Sequence, residues 1–400
     1  MTATGGAAMQ DALSGVRVLD FTTMMAGPYG TRLLADLGAE VIKIEPPDGD
    51  YMRYQPPVKN GCSRYFGHLN AGKKSIALDL KAKAAQEVVA RMIANADVVI
   101  ENFRPGVMAR LGLGYDACAA INPRIVYCSI SGYGQDGPDA EKPAYAPMIH
   151  AASGYDVTLA GYQPEEGPPA VTGVFVADVL GGLYSASAIQ TALFQRERTG
   201  RGQAIDTTLM ECMLNLLIYE IQFEQQPSNA RRPRYGPLPT RDGHVIVLPI
   251  NSRNFLNLCK ALGHEEWATD PLFAAPADRV RNWDALMARI AEWTRTRTAA
   301  DCETTLMAGG VPASRYRTVR EAMEDPQLAF REAFSVVEDA AGPFRVVRGP
   351  YTMSGTSTAV RAHVPALAEH TEALLRDVAG LDAAAIARLR DEDGGVRFPG

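Results

Sequence analysis

The sequence predicts an α/β protein: a large domain with a doubly wound, mostly parallel sheet, and a smaller α/β domain in the middle of the chain. Three observations support this. From Val16 to Ile130, short apolar strands alternate with helix-length runs, the arrangement of a parallel sheet covered by helices on both faces. With 46% hydrophobic and 22% charged residues, the 400-residue chain has apolar material for the cores of about two or three domains. The stretch QQPSNARRPRYGPLP, from Gln225 to Pro239, has the composition of a linker, and a shorter mixed segment follows it to about residue 319.

Val16–Phe21 (VRVLDF) reads as a short strand, AGPYGTRLLADLGA as a glycine-entered helix and Glu40–Glu45 (EVIKIE) as the next strand, a tight βαβ start. PPDGDYMRYQPPVKNG reads as a long loop of the kind that usually serves function in a compact domain. The strand KSIALDL, the helix KAAQEVVARMIANA, the strand DVVIEN, a helix from Pro105 to Leu111 and the strand RIVYCSI continue the alternation. From Ser131 the chain loosens into a Gly- and Pro-rich stretch with Tyr133, Tyr145, Tyr155 and Tyr162, where a substrate-covering loop is expected. The turn RERTGRGQ ends a helix and starts the strand AIDTTL, and MECMLNLLIYEIQFE reads as one long apolar helix. Beyond the linker, TRDGHVIVLPI is a turn and strand, followed by the helices NFLNLCKALGH, WDALMARIAEW and AADCETTLMAGG; the tail returns to strands and amphipathic helices.

Such sheets bind ligands beyond the carboxyl ends of their strands. One of those ends carries Glu101, Asn102, Phe103 and Arg104. Arg104 and Arg110, with Lys73, Lys74 and Lys81, form a basic cluster suited to phosphates, although each alone reads as a solvated surface charge. The second focus is Asp178, the only charged residue between Glu166 and Arg196, set among Val174, Phe175, Val176, Val179, Leu180 and Leu183. A carboxylate buried there needs compensation. Two readings stay open: Asp178 caps a helix running from Leu180 to Phe194, or it is a reagent kept ionised by helix N–H groups, with Gly181 and Gly182 letting a substrate come close. His150, beside Met148, Ile149, Ala151 and Ala152, reads as a structural histidine.

Several classes are excluded. The net charge of -6 gives no basic footprint for nucleic acid. TMMAGPYG follows VLDF in place of GxGxxG, which disfavours NAD and FAD, and the GxSxG, HExxH and P-loop patterns are absent. Six cysteines without a CxxC pair fit the reduced thiols of a cytoplasm. The amino terminus lacks a signal pattern and no run of about eighteen apolar residues exists to span a bilayer, so a cytoplasmic protein with no membrane partner is expected.

Taken in order, VRVLDFTTMMAGPYGTRLLADLGAEVIKIEPPDGD, GKKSIALDLK, ENFRPGVMARLGLGYD, NPRIVYCSISGYGQDGP, the Asp178 stretch with RERTGRGQAIDTTLME, and AEHTEALL resemble the family III CoA-transferases, the CaiB/BaiF type that includes formyl-CoA transferase. The resemblance implies a Rossmann-like CoA-binding domain formed by both chain ends (1–224 and 320–400), a small domain over 225–319, and an interlocked homodimer. It also implies that Asp178 is the nucleophile, attacking an acyl-CoA thioester and becoming an aspartyl-CoA thioester that an acceptor carboxylic acid reopens. No metal or other cofactor is expected, CoA entering as a substrate thioester. Motif by motif, the resemblance places Leu78 and Lys81 along the nucleotide end of CoA, Asn102, Phe103 and Arg110 along the pantetheine, and Met25 beside the thioester, with Arg104 and Tyr145 as further candidates. Met25 stands where some members carry glutamine, and Pro46 and Pro47 where some carry a basic residue, so the acceptor acid is expected to differ from that of formyl-CoA transferase. Two rivals remain. One is an α-methylacyl-CoA racemase-like activity, whose histidine would fall on Tyr145 with His150 five residues on. The other is a non-catalytic CoA-binding protein.

Overall fold

Six strands line up parallel in one sheet: β1 (Arg17–Asp20), β2 (Glu40–Glu45), β3 (Lys74–Leu78), β4 (Val98–Glu101), β5 (Val126–Ser131) and β6 (Gln203–Thr208). Their spatial order is β3-β2-β1-β4-β5-β6, and β7 (Val396–Arg397) pairs antiparallel with the β3 edge. The direction of winding reverses between β1 and β4, which is where an open parallel sheet leaves a crevice for ligands. The computed structural model describes residues 11–163, 167–227, 233–391 and 395–399. The helices that bear on the site are α1 (Ala26–Asp36), α2 (Arg64–Asn70), α3 (Lys83–Ala94), α4 (Ala146–Ala152), α5 (Val176–Thr199), α6 (Leu209–Leu216) and α7 (Thr371–Asp377).

Both faces of the sheet are covered because successive strand residues point to opposite sides. Val18, Val41, Val98, Ile100, Val126 and Cys128 pack against Leu33 and Leu34 of α1 and Ala186 and Ile189 of α5. Leu19, Ile42, Ile76, Val99 and Tyr127 pack the other way, against Val88, Val89 and Met92 of α3 and Leu374 and Leu375 of α7. The tail of the chain therefore completes a core begun by its first hundred residues. The larger compact unit comprises Met1–Ile221 with Phe330–Gly400, and the smaller one Gln222–Ala329. The latter is a three-stranded antiparallel sheet (Leu238–Pro239, His244–Val247, Ala313–Arg315) with helices gathered around Phe255, Phe273, Leu286, Ile290 and Leu306.

Two expected elements differ. The apolar run after β6 is not one helix: it breaks at Leu217 into α6 and a helix over Ile218–Gln225 that buries no residue. The expected loop after β2 is ordered by its own side chains. Asp50 Oδ1 accepts the Met52 N–H at 2.9 Å to start a helical turn over Tyr51–Tyr54, and a short ribbon (Val58–Lys59 with Cys62–Ser63) follows. Among the described residues no helix is long and apolar enough to cross a membrane.

Candidate active site

The chain leaving β1 forms one wall of the crevice. Asn102, directly after β4, clamps that segment with both ends of its amide: the Thr23 N–H donates to Oδ1 and Nδ2 donates to the Thr23 carbonyl, each at 2.8 Å. Met24 then takes φ of 66°, a left-handed conformation that a side chain of its size adopts only under constraint. The constraint lies underneath, in buried charges. Asp20 pairs with Lys73 at 3.0 Å, Lys43 with Asp50 at 2.8 Å and Glu45 with Arg53 at 2.7 Å. Lys43 Nζ also donates to the Thr22 carbonyl at 2.9 Å. Burial works to raise the Asp20 pKa, but Lys73, Lys43 and the Thr22 and Thr31 hydroxyls outweigh it and hold it low. Lys73, pushed down to about 8 by burial, is thus a structural cation and not part of an open phosphate cluster, and Lys74 is paired with Glu40 at 2.5 Å.

Asp178 enters from the opposite wall. The helix begins at Val176 rather than Leu180, with Phe175 at the N-cap and no side-chain cap bond, so Asp178 lies within the first turn and does not cap it. The glycines after it also have another use. A Cβ on Gly182 would stand 2.5 Å from the Ala26 carbonyl oxygen, and one on Gly30 would stand 2.6 Å from the Gly182 oxygen. They let α1 and α5 touch backbone to backbone, which brings the starts of both helices to one cavity. That cavity, about 480 Å³, is lined by Met24, Met25, Ala26, Tyr65, Asn102, Phe103, Arg104, Tyr145, Phe175 and Asp178 among others. Among the described residues nothing hydrogen-bonds the Asp178 carboxylate, and burial pushes its pKa up to about 6. Beside it, the Tyr65 hydroxyl donates to Met25 Sδ at 2.9 Å, and burial together with the Asp178 charge raises the Tyr65 pKa.

His150 is fully buried and takes no part in lining the cavity. Its Nε2 accepts the Ala177 N–H at 3.1 Å, which fixes the tautomer with the proton on Nδ1; that proton points to Thr172 Oγ1 at 3.1 Å, and Thr172 donates on to Asp156 at 3.2 Å. The histidine therefore holds the first turn of α5 directly before Asp178. Glu101, buried at the end of β4, accepts the Phe103 N–H at 2.8 Å and is pushed up to about 7 by burial.

A second cavity of about 360 Å³ adjoins the first through Thr23 and Phe103 and is lined by Leu78, Lys81, Phe103 and Arg110. The nine residues that the family resemblance assigns to the site, Asp178 with Met25, Leu78, Lys81, Asn102, Phe103, Arg104, Arg110 and Tyr145, therefore border one of the two cavities, whereas Lys73, Lys74, Glu101 and His150 border neither. Tyr65, Phe175 and Met52 also line the larger one and were missed, since a tyrosine in RYFGHLN and a methionine in DYMRY carry no motif. His363, Glu369 and His370 bring ligand-type atoms within 4.8 Å of one another away from both cavities, but the Glu369 carboxylate is taken by His363 at 2.8 Å and His370 Nδ1 by the Ser75 N–H at 3.2 Å.

The fold and cavities define a doubly wound α/β protein with its candidate site at the reversal point of the sheet, where the Asp178 carboxylate faces the cavity with no partner among the described residues. The chain belongs to CoA-transferase family III, whose sequence profile matches residues 13–371. It is 36% identical over 394 residues to the acetyl-CoA:oxalate CoA-transferase of Acetobacter aceti, covering 96% of this chain and 100% of the relative. It is 34% identical over 396 residues to the succinate–glutarate CoA-transferase of Agrobacterium fabrum, covering 93% and 97%. A CaiB/BaiF family protein from Brucella suis superposes with a TM-score of 0.81 at 36% identity, covering 92% of this chain and 99% of that one.

Proposed function

We propose that the protein moves CoA from an acyl-CoA donor to a carboxylic acid through an aspartyl-CoA thioester on Asp178. The observation that carries this reading is the Asp178 carboxylate facing the 480 Å³ cavity with no partner among the described residues. Largely removed from water and with no cation or donor bonded to it among the described residues, it is less stabilised than a solvated carboxylate, and at about 6 its pKa leaves it ionised at neutral pH. It attacks the thioester carbonyl and expels CoA thiolate, giving a mixed anhydride. The thiolate then attacks the Asp178 carbonyl carbon, and the donor acid departs. The acceptor carboxylate attacks the aspartyl thioester in turn, and the CoA thiolate released takes the acyl group of the second anhydride, restoring Asp178. No proton is gained or lost, so no general base is required. The start of α1, which has no side-chain cap, offers backbone N–H groups at Ala26 and Gly27 to the developing oxyanions.

Lys81 and Arg110 suit the anionic end of CoA, with the pantetheine passing Phe103 towards Asp178. Asn102, whose amide is spent on Thr23, shapes this path. The racemase alternative is weakened because His150 Nε2 is occupied by the Ala177 N–H. The same reading has the protein working in the cytoplasm as a homodimer. Hydroxylamine added after an acyl-CoA should leave a hydroxamate on Asp178, and Asp178→Asn should abolish CoA exchange. Exchange that survives in Asp178→Asn refutes the nucleophile. Deuterium incorporated at the α-carbon of a 2-methylacyl-CoA in heavy water, without any acceptor acid, would favour the racemase.

A further inference from the structure

The wall that faces Asp178 passes from β1 to α1 through a short turn, and its hydrogen bonds stop before the sharpest residue of that turn. Thr22 is fixed by Asp20, which accepts its N–H at 3.0 Å, and by Lys43 Nζ, which donates to its carbonyl at 2.9 Å. Thr23 is fixed by Asn102: the Thr23 N–H donates to Oδ1 and Nδ2 donates to the Thr23 carbonyl, each at 2.8 Å. Met24 follows with φ of 66°, its side chain exposed and its N–H reaching Asp50 Oδ1 only at 3.4 Å. Ala26 then opens α1, with its carbonyl oxygen seated where a Cβ on Gly182 would come within 2.5 Å.

Met24 is therefore a bridge between two anchors, the α1–α5 contact on one side and Asn102 on the other. A residue other than glycine leaves the left-handed region unless its neighbours hold it there. Asn102 can hold because it is itself held. The strand before it is tied by the Phe21 N–H to the Ile100 carbonyl at 2.9 Å, and the residue after it by the Phe103 N–H to Glu101 at 2.8 Å. Beyond the bridge, Ala26 lines the same cavity as Asp178.

We propose that Asn102 is a positioning residue for the reaction: through Thr23 it holds Met24 in its left-handed turn, and so aims the first N–H groups of α1 at the oxyanion formed beside Asp178. Resting on the transferase reading, this gives Asn102 a role exerted through the wall rather than by gripping CoA. Misaimed donors leave the binding of CoA nearly intact and weaken the transition state.

The test reads hydroxamate formation at pH 8, where Asp178 is ionised, from acetyl-CoA or succinyl-CoA, whichever the wild type uses faster. The Kd of free CoA is measured beside it by calorimetry. Asn102→Ala should lower the rate at saturating acyl-CoA by about 100-fold, the loss typical of one oxyanion donor, with the CoA Kd within about twofold. Asn102→Asp keeps an acceptor for the Thr23 N–H and should lose about tenfold, which preserves the test if Asn102→Ala does not fold. Met24→Gly takes up the left-handed conformation without strain, so adding Asn102→Ala to it should cost only about tenfold relative to Met24→Gly alone. A residue that serves only the fold, or that binds CoA, shows no such rescue. A wild-type rate in Asn102→Ala or Asn102→Asp, a CoA Kd raised tenfold in place of the rate loss, or the same loss with and without Met24→Gly overturns the positioning role alone. Absence of hydroxamate in the wild type overturns the transferase reading, and the role of Asn102 falls with it.

Discussion

Asp178 destabilises the fold that presents it, and the cost is measurable without any substrate. Burial lifts its pKa from the ordinary 3.8 to about 6, so the folded protein binds that proton more tightly than the unfolded chain does. Below about pH 4 the group is neutral in both states and the penalty vanishes. As the pH rises, the unfolded chain ionises first, and the penalty grows until the folded group ionises near 6, then stays constant. The full rise corresponds to on the order of 3 kcal/mol, and partial exposure of Asp178 reduces this to about 1–3 kcal/mol. Asp178→Asn keeps the shape and removes the charge. Its stability advantage over wild type should therefore be small at pH 4, rise between pH 4 and 6, and level off by about pH 7. Urea unfolding of both proteins across this range, followed at the transition of the larger unit, reads the difference. An advantage that is the same at pH 4 and pH 8, or that shrinks as pH rises, would show that the carboxylate is compensated after all.

The same carboxyl sets the acid limb of the reaction: kcat/KM of the donor half-reaction should fall as pH drops through about 6, and the limb should persist in Glu101→Gln, which removes the other raised carboxyl nearby. His150→Leu strips the acceptor from the Ala177 N–H, and should cost about 1–3 kcal/mol by thermal or urea unfolding and slow hydroxamate formation; His150→Gln should recover part of both. Should His150→Leu leave stability and rate alike untouched, the histidine does not hold the start of α5. Lys73→Met leaves Asp20 with one of its two cations, and should lower stability by about 3 kcal/mol, a loss that Arg345→Gln, at an exposed position, should not show.

The sheet was legible because its strands are short apolar runs separated by helix-length segments, a local pattern that survives without any knowledge of contacts. The strand after DVVI delivered Asn102, Phe103 and Arg104 to the crevice for the same reason: residues that follow a buried parallel strand emerge at its carboxyl edge. What sequence spacing could not show was how side chains meet across elements. Gly181 and Gly182 looked like room for a substrate, but the Gly182 backbone faces the Ala26 oxygen and Gly30 on another helix. Lys73 and Lys81 looked alike, yet only the first turns inward to Asp20, 53 positions earlier in the chain. The role of Tyr65 depends on meeting Met25 across 40 residues of sequence, a contact no motif encodes.

These contacts explain why one carboxyl near the crevice differs from its neighbours. Asp20, Asp50 and Glu45 are as buried as any acid in the protein, and each has a cation of its own: Lys73, Lys43 and Arg53. Every one of those cations is consumed in fixing the strand ends and the strained segment at Met24. Among the described residues none of those cations reaches Asp178, and although Arg104 and Lys142 line the same cavity neither bonds its carboxylate; Phe175, Tyr65 and Met25 supply apolar or weakly polar surface there. The paired acids therefore make the wall rigid, while the unpaired one keeps a raised pKa and an accessible lone pair. A cation introduced on that wall, as in Met25→Lys, should test the division of labour: it would lower the Asp178 pKa, stabilise the fold at neutral pH and slow attack on the thioester. Faster hydroxamate formation in that variant would mean that the carboxylate lacks charge compensation by accident rather than as a condition of its reactivity.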